Sequence, residues 1–297
     1  MVQLPGGEFR MGSDEFYPDE RPVHDREVAG FWIDRFEVTN EDYAAFVDET
    51  AYVTVAEREL DPATFPGADQ ADLVPGSMVF TPTSGPTDLS DWRNWWRWQP
   101  GACWRCPFGP DSGIDDRMRH PVVHIAYEDA TAYATWAGLR LPTEAEHEYA
   151  ARGGLVGARF AWGDETYPDG VALANSWLGR FPYDNQGVGG TAPVGAYPPN
   201  GYGLYDMIGN VWEWTTDFYT PRHVRLTEKP VDAGKRTNLL ARASAQEAFP
   251  DIPRRVLKGG SHLCSPDYCL RFRPAARSPQ AEDTGMSHIG FRCARDA

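Results

Sequence analysis

Few cysteines, no long apolar run and no basic stripe: each shortage in this chain closes off a class of protein. Five cysteines in 297 residues are too few to staple the chain into a disulfide framework. No apolar run approaches the roughly 20 residues a membrane span needs. The N-terminus, Met1-Val2-Gln3-Leu4-Pro5-Gly6-Gly7-Glu8, has neither the basic region nor the apolar core of a secretory signal. We therefore expect no membrane and a reducing, cytoplasmic setting, where paired cysteines serve metal or redox chemistry. A net charge of −15 without a basic stripe disfavours phosphate-backbone binding, so nucleic acid is not an expected partner.

What the chain does have is glycine (29), proline (25) and tryptophan (11). Glycine and proline break regular elements, and tryptophan supplies large buried surface. Irregular loops pinned by aromatic anchors are the expected outcome. No internal repeat or linker divides residues 1–297, which read as a single domain and a monomer.

Along the chain, Phe31–Val38 reads as a strand and Thr39 as a helix cap, with Asp42 in capping-box spacing and Tyr43, Phe46 and Val47 on the apolar face. Trp92–Trp98 interleaves tryptophan and arginine, and packing with cation–π contacts fits the acidic chain better than nucleic-acid stacking. Cys103-Trp104-Arg105-Cys106 has metal or redox spacing, but no second ligand pair or helix follows, and it reads as two thiols without a shared role. His120–Ile125 reads as a strand, with His120 and His124 on one face. A helix is expected from Tyr127, burying Ala130, Tyr133, Ala134 and Ala137. Another is capped by Thr143 and Glu146 and ends at Arg152-Gly153-Gly154, its Glu144, Glu146 and Glu148 suiting a helix N-terminus. From Trp162 the chain reads as loops, and residues 220–255 as a long surface excursion. Asp206 and Glu213, with backbone carbonyls between them, offer the hard oxygens calcium takes.

The stretch with most chemistry is Gly259-Gly260-Ser261-His262-Leu263-Cys264-Ser265-Pro266-Asp267-Tyr268-Cys269, followed by the arginine-rich Leu270–Ser278. Taken alone, its two cysteines fit a disulfide, half a zinc site or a redox pair.

Pro5-Gly6-Gly7-x-Phe9-x-Met11-Gly12, Glu37-Val38-Thr39-Asn40, Arg140–Glu146, Gly201–Asp206, Gly209–Trp214 and Gly290-Phe291-Arg292-Cys293 together resemble the sulfatase-modifying factor family, in that family's order from about residue 4 to 296. The resemblance implies an irregular, loop-rich α+β domain related to C-type-lectin-like folds. Gly259–Ser278 looks like the active-site segment of formylglycine-generating enzymes, a segment whose cysteine pair non-catalytic relatives lack. By that resemblance, Cys264 and Cys269 bind Cu(I), Ser261 positions oxygen or substrate, and Trp212 lines the substrate pocket. The implied reaction uses O₂ to oxidise the cysteine of a C-x-P-x-R motif, in an unfolded or nascent sulfatase polypeptide, to Cα-formylglycine. Structural Ca²⁺ is implied at Asp206, Gly209, Val211 and Glu213. A second calcium would fall at Asn175 and Ser176, where the completing loop, Asn185–Thr191, is short. His147 replaces a usual tryptophan and Cys106 a usual histidine; both read as local packing changes. Ala134 and Ala151 replace the disulfide cysteines of secreted members. The other class of function is a calcium-stabilised peptide- or ligand-binding module without turnover.

Overall fold

A computed structural model describes residues 1–62, 73–223, 233–246 and 251–297. In chain order its elements are β1 (Val2–Leu4), β2 (Gly7–Met11), β3 (His24–Val28), β4 (Phe31–Ile33), α1 (Asn40–Thr50), β5 (Gly76–Phe80), β6 (Trp96–Pro100), α2 (Tyr127–Trp136), α3 (Glu144–Arg152), β7 (Trp212–Phe218), α4 (Ala233–Ser244), β8 (Arg254–Lys258), β9 (Arg277–Ala281), β10 (Ile289–Gly290) and β11 (Ala294–Asp296). It is a mixed α/β domain with short elements and much irregular chain, as the glycine and proline content predicts.

The helices start where their caps predict. Thr39 Oγ1 accepts from Asp42 N while Asp42 Oδ2 accepts from Thr39 N, at 3.2 and 3.1 Å. Glu146 N donates to Thr143 Oγ1 and Thr143 N to Glu146 Oε2, so two orphan amides are satisfied at each start. Tyr43, Phe46 and Val47 are buried, as are Ala130, Tyr133 and Ala134. Ala137 is exposed instead, because α2 ends at Trp136 and Ala137 is its C-cap.

Three strand expectations need correction. Only Phe31–Ile33 joins a ladder, between β1 and β11, because the Asp34 carboxylate then accepts Cys293 N where a carbonyl would have continued the pairing. His120–Ile125 is not a strand. Its amides go to different partners, Val122 N to Val38 O and His124 N to Met286 O, and His124 turns the chain at φ 63°. Trp212–Phe218, expected as loop, is β7 of the β10-β7-β8-β9 sheet, antiparallel to β8. Within 220–255 lies α4; residues 224–232 and 247–250 of that stretch are outside the described residues.

Aromatics pin the loops. Trp214 is fully buried and its indole N–H donates to Ile125 O at 2.8 Å; Trp177 is 2% exposed and donates to Asp184 O. Each ties a loop carbonyl into the core while burying a side chain worth on the order of 3 kcal/mol. Trp95 packs edge-on to Phe181 and Tyr268. Its neighbour Arg93 pairs with Asp91 at 2.7 Å, so no cation–π contact is needed to explain the charge there.

Candidate active site

Strands β8 and β9 are antiparallel neighbours whose pairing begins at Lys258 opposite Arg277. The chain between them, residues 259–276, closes into a loop carrying Ser261, Cys264 and Cys269. Two glycines make its entry possible. Gly259 and Gly260 have φ of 91° and 77°, and a Cβ on Gly260 would lie 2.6 Å from Arg271 O. The far side of the loop therefore runs directly against its entry, bringing the two cysteines together.

Their sulfurs are 3.8 Å apart and both thiols are free. Cys264 is buried and Cys269 half-buried. The position of each is set by backbone bonds. Trp177 N donates to Cys264 O at 2.9 Å, and Ser265 and Cys269 exchange N–H to carbonyl bonds at 3.1 and 2.8 Å. Ser261 is fully buried; its N–H donates to Cys264 Sγ at 3.4 Å and its Oγ accepts from Leu263 N. Trp212, 5% exposed, lies in the same apolar cluster as Cys264 and Phe272.

The two thiols are electrostatically unequal. The Cys264 S–H donating to Cys269, together with Arg271 and Arg273, lowers Cys269, while that same bond and burial raise Cys264 well above its ordinary value. Cys269 is the thiolate-prone member.

The arginines after the cysteines are clamped by acids from the N-terminal part of the chain. Arg271 reaches Asp19 at 3.0 Å, Arg273 bonds both oxygens of Glu20 at 3.0 and 2.5 Å, and Arg277 pairs with Glu144 at 2.7 Å. The Arg271 guanidinium lies 4.0 Å over the Tyr17 ring, and Leu270 N donates to Tyr17 Oη at 3.1 Å. Tyr17, Asp19 and Glu20 carry no local motif, and sequence reasoning passed over them. The acids of α3, expected to serve its N-terminus, are mostly partners in this clamp. Glu148 bonds Lys258 at 2.9 Å and Arg152 at 2.7 Å, and these cations outweigh burial to hold it well below its ordinary range.

A second group surrounds the tight loop 206–211, in which Asp206, Gly209 and Asn210 all have φ between 53° and 86°. Glu213 is fully buried, paired bidentately with Arg292 at 2.7 and 2.8 Å and touched by His147 Nε2 at 3.2 Å. His147 thus hydrogen-bonds Glu213 as well as packing in the core, and burial lowers it from its ordinary value. Asp206 accepts from Gly195 N. Glu37, which sequence reasoning did not assign, accepts from Asn210 Nδ2 at 2.6 Å and Val211 N at 3.3 Å. Burial first, then Asp206 and Glu213, push Glu37 well above its ordinary value. Asn175 donates to Gly190 O and Asn210 Oδ1, and beside it Ser176 is buried. His120 bonds Thr191 Oγ1, whereas His124 bonds Ser77 and Pro107 O, so these two do not form a ligand pair. Among the described residues no three His, Cys, Asp or Glu side chains are grouped to hold a metal ion.

The model of the sulfatase-modifying factor enzyme 1-like domain matches residues 1–297. The chain belongs to this family. It is 59% identical over 299 residues to a formylglycine-generating enzyme of Mycobacterium tuberculosis, covering 100% of this chain and 97% of that one. It is also 39% identical over 307 residues to a Bos taurus protein named inactive C-alpha-formylglycine-generating enzyme 2, covering 100% and 88%. Among solved structures it is similar to PvdO from Pseudomonas aeruginosa, with a TM-score of 0.62, 27% identity and coverage of 100% and 94%. Active and inactive names both fall within this similarity, so the family fixes the fold and leaves activity to the residues of the 259–276 loop.

Proposed function

We propose that this chain oxidises the cysteine of a C-x-P-x-R motif, in an unfolded or newly made sulfatase polypeptide, to Cα-formylglycine, with O₂ as acceptor and Cu(I) held by Cys264 and Cys269. The observation that carries this reading is the free thiol pair at 3.8 Å in the 259–276 loop. That separation is far beyond the roughly 2.05 Å of a disulfide bond. Two sulfurs with no hard donor between them suit a soft monovalent ion. When bound, Cu(I) supplies the redox chemistry through which O₂ is reduced.

The rest falls to the chain's own residues. Cys269, half-buried and favoured as thiolate by Cys264, Arg271 and Arg273, is the more accessible of the two to a substrate thiol. Cys264, buried in the apolar cluster that includes Trp212 and Phe272, is the member shielded from water. The Ser261 N–H fixes the Cys264 sulfur, and its hydroxyl, held by Leu263 N, is available to orient oxygen or substrate. A reducing compartment, where both thiols persist, and a monomeric state complete the reading.

Structural calcium is part of the proposal. Glu213 pairs with Arg292, Glu37 and Asp206 lie within reach of its charge, and loop 206–211 would add the carbonyls of Gly209 and Val211. A hard divalent cation would favour the charged form of carboxyls that burial now raises. A second calcium is proposed at Asn175 and Ser176, which offer neutral oxygen donors next to Asn210, where the completing loop, Asn185–Thr191, is short.

The test is chemical. Copper-loaded protein with a C-x-P-x-R peptide and O₂ yields an aldehyde, trapped by a hydrazide and identified by mass. A chain that makes no aldehyde after verified copper loading belongs with the binding-module reading instead.

A further inference from the structure

We infer that Cys103 and Cys106 form a second two-thiol site, distinct from Cys264 and Cys269, that binds one Cu(I) ion. The two residues face each other across a two-residue turn. Cys103 N donates to Cys106 O at 3.2 Å and Cys106 N to Cys103 O at 3.1 Å, closing an antiparallel bridge. Such a pair holds its Cα atoms about 5.5 Å apart, close enough for both sulfurs to reach one ion. Burial pushes the Cys103 thiol up to about 11, with the backbone N–H groups of Arg105 and Cys106 only partly offsetting it, so the ion has to displace the proton.

The turn is held in place independently of any ligand. Trp104 is 4% exposed and packs edge-on to Tyr43. His124 Nε2 donates to Pro107 O at 2.9 Å just beyond Cys106. Both thiols are free, Cys103 buried and Cys106 half-buried, so one sulfur is shielded while the other offers a way in.

The donor set selects the ion. Zinc asks for four ligands, and among the described residues no third His, Cys, Asp or Glu joins this pair. Two thiolates alone match a soft monovalent ion. Binding breaks two S–H bonds, forms two S–Cu bonds and releases two protons to solvent, with copper staying monovalent. The resulting site carries one negative charge. It sits beside the Arg105 guanidinium, which is held 4.7 Å over the Trp104 ring and 3.6 Å from Glu57.

The inference stands whether or not the Cys264/Cys269 pair turns over. The test is an anaerobic titration of the reduced full chain with Cu(I) against a chromophoric Cu(I) chelator. Wild type retains two equivalents, Cys106→Ser retains one, and the double variant Cys264→Ser/Cys269→Ser also retains one. A Cys106→Ser chain that keeps the wild-type stoichiometry, or a Cys264→Ser/Cys269→Ser chain that retains none, overturns the inference. A second measurement needs no variant: Cu(I) loading protects Cys103 and Cys106 from alkylation, read by peptide mass, and unchanged labelling of both contradicts the site.

Discussion

Two buried polar regions of this molecule solve the same problem in opposite ways. Around the 259–276 loop, Asp19, Glu20, Glu144 and Glu148 each face a cation from Arg271, Arg273, Arg277, Lys258 or Arg152. Around loop 206–211, Glu213 pairs with Arg292, while Glu37 and Asp206 accept only from neutral N–H groups among the described residues. The first region is charge-balanced by protein alone, so its geometry does not depend on a bound ion. In the second, Glu213 holds the Arg292 contact while burial pushes Glu37 and Asp206 up from their ordinary values. Burying charge is costly unless it is paired, so the first region avoids unpaired charge by ion pairs and the second by carboxyls pushed towards the neutral form.

The largest expected effect comes from breaking the balanced region. Arg273→Ala leaves Glu20 buried without its bidentate partner and costs about 3–5 kcal/mol, read by denaturant unfolding. A loss under 1 kcal/mol would mean that solvent or a neighbour takes over the pairing. Calcium should act on the other region only. Added Ca²⁺ at about 100 times its Kd raises stability by about 2.7 kcal/mol, and Glu37→Gln removes most of that gain while the variant loses little without calcium. An equal calcium response in wild type and variant would detach the ion from this cluster.

The smallest effect is on pH dependence. Glu144 and Glu148 are held below their ordinary value of 4.5, because Arg277 and Lys258 for the first, and Lys258 and Arg152 for the second, outweigh burial. A depressed carboxylate contributes stability that is fully present above its unfolded pKa and is lost as pH falls through that value towards the folded one. The melting temperature should therefore decline below about pH 4.5, and Lys258→Met should flatten that decline. A Lys258→Met melting profile parallel to wild type in acid would remove Lys258 from the balance.

How much of this was legible depends on distance along the chain. The caps at Thr39 and Thr143 are three-residue patterns, and the cysteine spacing in 264–269 is a local signature, so both could be read directly. The glycine pair that folds the loop back was equally local. The clamps were not legible: Glu20 and Arg273 are 253 residues apart, and no acid in Asp19-Glu20 announces its partner. His120–Ile125 misled because β-branched residues mimic a strand while their amides serve Val38 and Met286 separately. Glu37 looked like the end of a strand; only its bonds to Asn210 and Val211, over 170 residues away, reveal it. Trp212 was assigned to a loop, yet it begins β7, since the strand's partner β8 lies some forty residues later in the chain.

The central claim is that turnover resides in the Cys264/Cys269 pair and not elsewhere in the chain. The direct measurement is aldehyde formation on a C-x-P-x-R peptide by copper-loaded wild type, Cys269→Ser and Cys106→Ser, assayed side by side. Loss of turnover by at least about a thousandfold in Cys269→Ser, with Cys106→Ser close to wild type, is the predicted result. A fully active Cys269→Ser would contradict it.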